Sequence, residues 1–140
     1  MALNKILIDS SFLISLYDKD ALAYDEVKEI AKFYRGQFLV PQVVLTEVVY
    51  LLKRDAGVPG AVTFLNEFTD SLPDLQDVTV EDLQRVKEIM QQYASAKLDF
   101  VDCCIMTLSE RLTVTQVCTL DRRDFAIFRP KHCEYLEIPP

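Results

Sequence analysis

The chain carries one histidine in 140 residues, His132, within a polar C-terminal segment. That scarcity argues against a histidine-built zinc centre and a His-based catalytic triad, and His132 reads as a surface side chain. The four cysteines, Cys103, Cys104, Cys118 and Cys133, include no C-x-x-C pair. The adjacent two would project about 100° apart on a helix, so all four read as buried thiols of a reducing compartment. Glycine and proline are sparse and half the residues are apolar, which excludes a disordered chain. Positive charge is also short, with 15 Lys and Arg against 22 Asp and Glu, a formal charge of −7 and a pI near 4.7. This excludes binding to nucleic acid by bulk electrostatics. Local contact stays open, because a bound cation offsets part of the charge of clustered carboxylates. No apolar run approaches the ~20 residues of a membrane span. The run from Leu3 to Ile8, broken by Lys5 and closed by Asp9, is too short and too charged for a signal peptide. A cytoplasmic, single domain over residues 1–140 is expected.

Short apolar runs alternate with helical patterns. Ile6-Leu7-Ile8, Phe38-Leu39-Val40 and residues 114–118 read as strands buried on both faces. Residues 75–78 read as a short edge strand, and 134–138 alternate like another. Helices are expected from Phe12, over 21–34 with Leu22, Val27, Ile30, Ala31, Phe33 and Tyr34 inward, and over 42–54 with Pro41 opening that helix. The 42–54 helix has almost no polar face and should be largely buried. A break at Gly57-Val58-Pro59-Gly60 precedes a helix over 61–68. Thr79-Val80-Glu81-Asp82 has capping-box spacing for a helix running to Tyr93, and an apolar central helix runs from Asp99 to Arg111. Strands alternating with helices imply a parallel α/β sheet, whose sites form beyond the carboxyl ends of its strands.

Carboxylates occur among apolar residues at that edge. Asp9 ends the first strand, and it reads equally as a helix cap or as a ligand. Glu47 lies on one helical stripe with Val43, Val44, Tyr50 and Leu51, which projects it inward; the alternatives are an exposed helix edge or a structural ion pair. Asp99 and Asp102 share a face at a helix start, where they are an ordinary capping pair or a functional one. Asp121 follows the last buried strand. Four like charges in one crevice need either raised pKa values or a cation. All-oxygen ligands suit Mg²⁺ or Mn²⁺.

Ile8-Asp9-Ser10-Ser11, Thr46-Glu47-Val48, Phe100-Val101-Asp102-Cys103-Cys104-Ile105 and Thr119-Leu120-Asp121-Arg122-Arg123-Asp124-Phe125, in this order, resemble the PIN domain family. In size and layout the chain is similar to VapC-type toxin ribonucleases. The resemblance implies a three-layer α/β/α sandwich around a mostly parallel sheet. It also implies a catalytic, metal-holding quartet of Asp9, Glu47, Asp102 and Asp121. Asp99, Ser10, Thr119 and Asp124 take supporting roles, Asp99 as a helix cap or outer acid and Asp124 as a turn residue. Arg122 and Arg123 become candidate RNA contacts, with Lys19, Lys53, Arg54 and Arg111 farther out. Expected cofactors are Mg²⁺ or Mn²⁺, and expected partners are RNA, an antitoxin protein and a second copy of the chain. Cys103-Cys104 departs from the small residues usual there.

The rival readings are a PIN-like scaffold without chemistry, a phospho-acceptor receiver domain and an aspartate phosphatase. A receiver would carry an acidic pair after its first strand, where Asp9 is followed by Ser10. A phosphatase would carry a second aspartate at Ser11.

Overall fold

A computed structural model describes residues 5–139; Leu3, Asn4 and Pro140 of the sequence reading lie outside them. Four strands, β1 (Ile6–Ile8), β2 (Phe38–Pro41), β3 (Asp74–Gln76) and β4 (Val117–Cys118), form one sheet in the order β3-β2-β1-β4. Every pairing is parallel, with Leu7 opposite both Leu39 and Val117. The strands are short and, except for the edge strand β3, buried, as continuous apolar runs require.

Helices α1 (Ser10–Tyr17), α2 (Tyr24–Phe33) and α3 (Val44–Asp70) connect β1 to β2 to β3. Helices α4 (Val80–Gln92) and α5 (Phe100–Arg111) carry the chain back across the sheet to β4, and α6 (Arg122–Ile127) follows. Right-handed crossovers put the first three on one face and α4 and α5 on the other. The contacts of α1 with α2 and α3, and of α4 with α5, agree with this. The expected three-layer α/β/α sandwich results. The chain leaves β1 in one direction and returns to its other side at β4, so the sheet's topological switch lies between the ends of β1 and β4.

Local chemistry accounts for the helix boundaries. Thr79 accepts from the Asp82 N–H and Asp82 from the Thr79 N–H, a complete capping box. At Gly57 the backbone turns to φ +70° and ψ −177°, a left-handed φ that favours glycine, and α3 kinks there ahead of Pro59. Helix α5 is the core of the domain, with Cys103 through Ser109 all buried.

Several sequence expectations change. Leu22 and Phe33 are exposed, because α2 starts later, at Tyr24, and buries Val27 while Ile30 and Tyr34 pack against the core. Pro41 ends β2 rather than opening α3. Helix α3 is only half covered: Val44 and Val48 are buried, but Tyr50 faces outward, since one layer of helices covers one side of it. Residues 134–138 contribute a single parallel bridge from Glu137 to Gln116, with Leu136 buried. His132 is half-buried, its Nε2 2.7 Å from the Val114 carbonyl. Cys133 is half-buried while the other three thiols are buried, and all four are free.

Arg111, expected as an outlying RNA-contact candidate, joins Arg85 in fastening α4 to α5. Arg111 Nε donates to both carboxylate oxygens of Asp82 at 3.0 and 3.2 Å, and its Nη2 to the Asp77 carbonyl at 2.8 Å. Arg85 meets Glu110 bidentately at 2.7 and 3.0 Å. Burial pushes the Glu110 carboxyl up, but hydrogen bonds from Arg85 and the Lys131 N–H hold it below its usual range. Replacing Arg85 with methionine strands that carboxylate. We expect a loss of about 2 kcal/mol, read as a lower urea midpoint with an unchanged slope.

Candidate active site

The switch between β1 and β4 is where carboxylates gather. Asp9 follows β1 and is 3 % exposed. Its Oδ1 accepts from the Phe12 N–H at 3.1 Å, capping α1, and from Ser11 Oγ at 2.7 Å. Its Oδ2 accepts from Thr119 Oγ1 just past β4. Ser11 Oγ in turn accepts from the Leu120 N–H at 3.0 Å, and Thr119 Oγ1 from the Asp121 N–H at 2.9 Å. Two hydroxyls thus lock the end of β1 to the loop that delivers Asp121. Thr119→Val leaves a buried carboxylate oxygen without its donor and an N–H without its acceptor. The expected cost is about 1–3 kcal/mol, visible as a lower melting temperature.

Asp99 caps α5 through the Asp102 N–H at 2.9 Å. That assigns the helix cap to Asp99 and leaves the Asp102 carboxylate available. Asp121 stands at the N-cap position of α6 without a side-chain cap bond, and Asp124 lies in the first turn of that helix. One carboxylate oxygen each from Asp102, Asp121 and Asp124 falls within 4.8 Å of the others. Ligands about 2.1 Å from one octahedral cation stand roughly 3 to 4 Å apart, so this spacing suits a shared ion after small adjustment.

The electrostatics agree with the geometry. Burial, and then the charges of Asp99, Asp9, Asp121 and Asp124, push the Asp102 carboxyl up to about 8. Burial also raises Asp9 above the ordinary carboxylate range, against hydrogen bonds from Thr119, Ser11 and the Phe12 N–H, and Asp121 adds to the rise. Asp124 is raised by its burial and by Asp121. Among the described residues no lysine or arginine forms an ion pair with Asp9, Asp102, Asp121 or Asp124. The donor set is oxygen only, and its charge is offset at Asp124 by the exposed Arg123.

The family model of the PIN domain matches residues 6–129. The chain belongs to the PIN domain family. Its fold is shared with the Mycobacterium tuberculosis toxin VapC20, described as cleaving the sarcin-ricin loop: TM-score 0.77 and 18% identity over 85% of this chain and 92% of that one. VapBC2 from Rickettsia felis, solved on a DNA fragment from its promoter, aligns over 96% of this chain and 98% of that one, with TM-score 0.71 and 13% identity. A toxin–antitoxin complex from Klebsiella pneumoniae aligns over 89% and 92%, with TM-score 0.68 and 18% identity. No curated protein matches the chain by sequence.

Within this PIN domain the sequence-derived residues separate. Asp102 and Asp121 meet in the cluster, and Asp9 adjoins them electrostatically. Glu47 lies in the first turn of α3, half-buried and outside the three-carboxylate cluster. Asp124, expected only to support, contributes a cluster oxygen, because α6 begins directly after Asp121 and its first turn brings residue 124 back beside residue 121. Ser10 makes no side-chain hydrogen bond among the described residues, while its neighbour Ser11 makes two. Ser11 stands two residues after the N-cap Asp9, close enough for its hydroxyl to donate to that carboxylate. Arg122 donates to the Pro139 carbonyl at 2.9 Å, whereas Arg123 is exposed and its charge reaches Asp124.

Proposed function

We propose that this PIN domain is an Mg²⁺- or Mn²⁺-dependent endoribonuclease, the toxin of a toxin–antitoxin pair. The observation that carries the reading is the cluster of Asp102, Asp121 and Asp124 oxygens at the topological switch of the sheet, with Asp9 beside it and, among the described residues, no lysine or arginine ion-paired to any of the four. Those residues would hold the metal, and Glu47, in the first turn of α3, is the further acid of the expected quartet. A bound divalent ion supplies a Lewis acid for the scissile phosphate and lowers the pKa of a coordinated water.

The chain's own residues do the positioning. Ser11 and Thr119 orient Asp9 and tie it to the Asp121 loop, and Asp99 spends its carboxylate on the α5 N-terminus so that Asp102 faces the cluster. Arg123, exposed on α6, is the cation best placed to meet a phosphate beside the site. The fold shared with proteins solved in toxin–antitoxin complexes supports an antitoxin partner; a second copy of the chain is part of the same proposal.

The test is cleavage of a panel of structured and single-stranded RNAs. Cutting is expected with Mg²⁺ or Mn²⁺, loss with EDTA, and recovery when the metal is restored. Cleavage that persists in EDTA contradicts the metal role, and absence of cutting across the panel favours a binding scaffold.

A further inference from the structure

The turn that delivers Asp121 and Asp124 is short and tied at few points. Asp121 stands at the N-cap position of α6 with no side-chain cap bond, and α6 has only six residues, too few to hold a shape without outside support. Thr119 supplies one tie, accepting from the Asp121 N–H while its hydroxyl donates to Asp9. A second comes from Arg122, the residue after Asp121, whose Nη2 donates to the Pro139 carbonyl at 2.9 Å. The anchor it grips is itself fixed. Leu136 is buried, the Glu137 N–H donates to the Thr115 carbonyl at 2.8 Å, and the Glu137 carbonyl accepts from the Val117 N–H at 3.0 Å. These bonds lay the C-terminal segment along the outer edge of β4, the strand that leads into Thr119 and Asp121. Arg122 and Pro139 line a void of only about 40 Å³ together with Thr119 and Phe12, so the end of the segment reaches the residue that holds Asp9.

Arg122, expected from the sequence to contact RNA, thus has a partner within the chain. We propose that it is a positioning residue: by pinning the start of α6 to the C-terminal segment it sets where the Asp121 and Asp124 oxygens stand relative to Asp102, and so the affinity of the cluster for a divalent cation. The proposal rests on the reading of that cluster as a metal site. Charge alone predicts the opposite sign. A guanidinium next in sequence to Asp121 repels a bound cation, so losing its charge should tighten the metal. Losing a brace behind the ligands should weaken it, because residues that orient metal-holding side chains contribute to affinity without touching the ion.

The probe is Mn²⁺ alone, titrated onto the whole chain without RNA and followed by the electron paramagnetic resonance signal of the free ion. Arg122→Ala is expected to bind Mn²⁺ roughly tenfold more weakly than the parent. Arg122→Lys, which keeps the charge and a donor, should recover most of that loss, and Arg123→Ala, which removes a neighbouring charge and no brace, should bind at least as tightly as the parent. Glu137→Pro removes the N–H that donates to Thr115 and loosens the segment without touching the cluster. It should weaken Mn²⁺ to a similar degree, and Arg122→Ala/Glu137→Pro no further, because the two changes break one link. Circular dichroism confirms that each variant is folded, and deletion of residues 139 and 140 takes the place of Glu137→Pro where that variant is not. Mn²⁺ held as tightly or more tightly by Arg122→Ala, no recovery with lysine, an equal weakening in Arg123→Ala, or additive losses in the double variant each overturns the brace while the metal reading stands. A parent chain that binds no Mn²⁺ overturns both.

Discussion

Replacing Asp102 by asparagine should lower RNA cleavage by about 10³-fold or more while making the metal-free protein more stable at pH 8. The two effects have one cause. In the folded chain burial and four neighbouring carboxylates raise the Asp102 carboxyl from 3.8 to about 8. As pH rises from 4 to 8 the unfolded chain gives up that proton and the folded chain keeps it, so the metal-free fold loses stability across this window and levels off above it. The loss is on the order of 2 kcal/mol, well below the full linkage value because solvent screens a half-buried carboxylate. Asparagine has no charge to disfavour, so the variant's stability should be flatter with pH. It should equal the parent near pH 4 and exceed it near pH 8. Adding Mg²⁺ should stabilise the parent and not the variant, closing the gap. Thermal melts at pH 4, 6 and 8 with and without Mg²⁺, beside a cleavage assay, measure all of this. Undiminished cleavage, or a variant less stable than the parent at pH 8, would remove Asp102 from the site.

The second large effect is expected at Phe125. This residue lies between the cluster helix α6 and the core and is fully buried. Phe125→Ala should cost about 3–5 kcal/mol, a fall in melting temperature of roughly 10 °C or more. A six-residue helix has no stability apart from such packing, so α6 should loosen and Asp121 and Asp124 should lose their positions before the domain unfolds. Cleavage measured well below the melting temperature should therefore drop at least tenfold. Ile89→Ala is the control. Ile89 is equally buried on α4 but away from the carboxylates, so this change should lower stability to a similar degree and leave cleavage intact while the protein is folded. Equal losses of cleavage in both variants would show that α6 is not held in the way described.

Family membership was readable from short segments, because each combines an apolar run with a polar residue at its end. Ile6-Leu7-Ile8 before Asp9 reads as a buried strand ended by a cap or a ligand, and Thr79 with Asp82 states its own capping box. Several of the expectations that changed are those in which an apolar residue was taken to face the core. Leu22, Phe33 and Tyr50 are apolar by composition yet face outward, since burial depends on which elements lie opposite and not on the residue itself. Pro41 suits a strand end as well as a helix start, and register with Gln76 on β3 decided between them.

At the acidic site the division runs the same way. Sequence alone determined that this chain places carboxylates at strand ends and helix starts, with oxygen ligands only and almost no histidine, because residue type and helical or strand period are local properties. Which of those carboxylates share a point in space was decided by the tertiary structure. The crossover that returns β4 beside β1 brings residue 119 against residue 9, the cap geometry of α5 uses Asp99 and releases Asp102, and the first turn of α6 carries Asp124 into the cluster while Glu47 stays outside it. Distances across more than a hundred residues are set by packing and chain topology, and no local pattern encodes them.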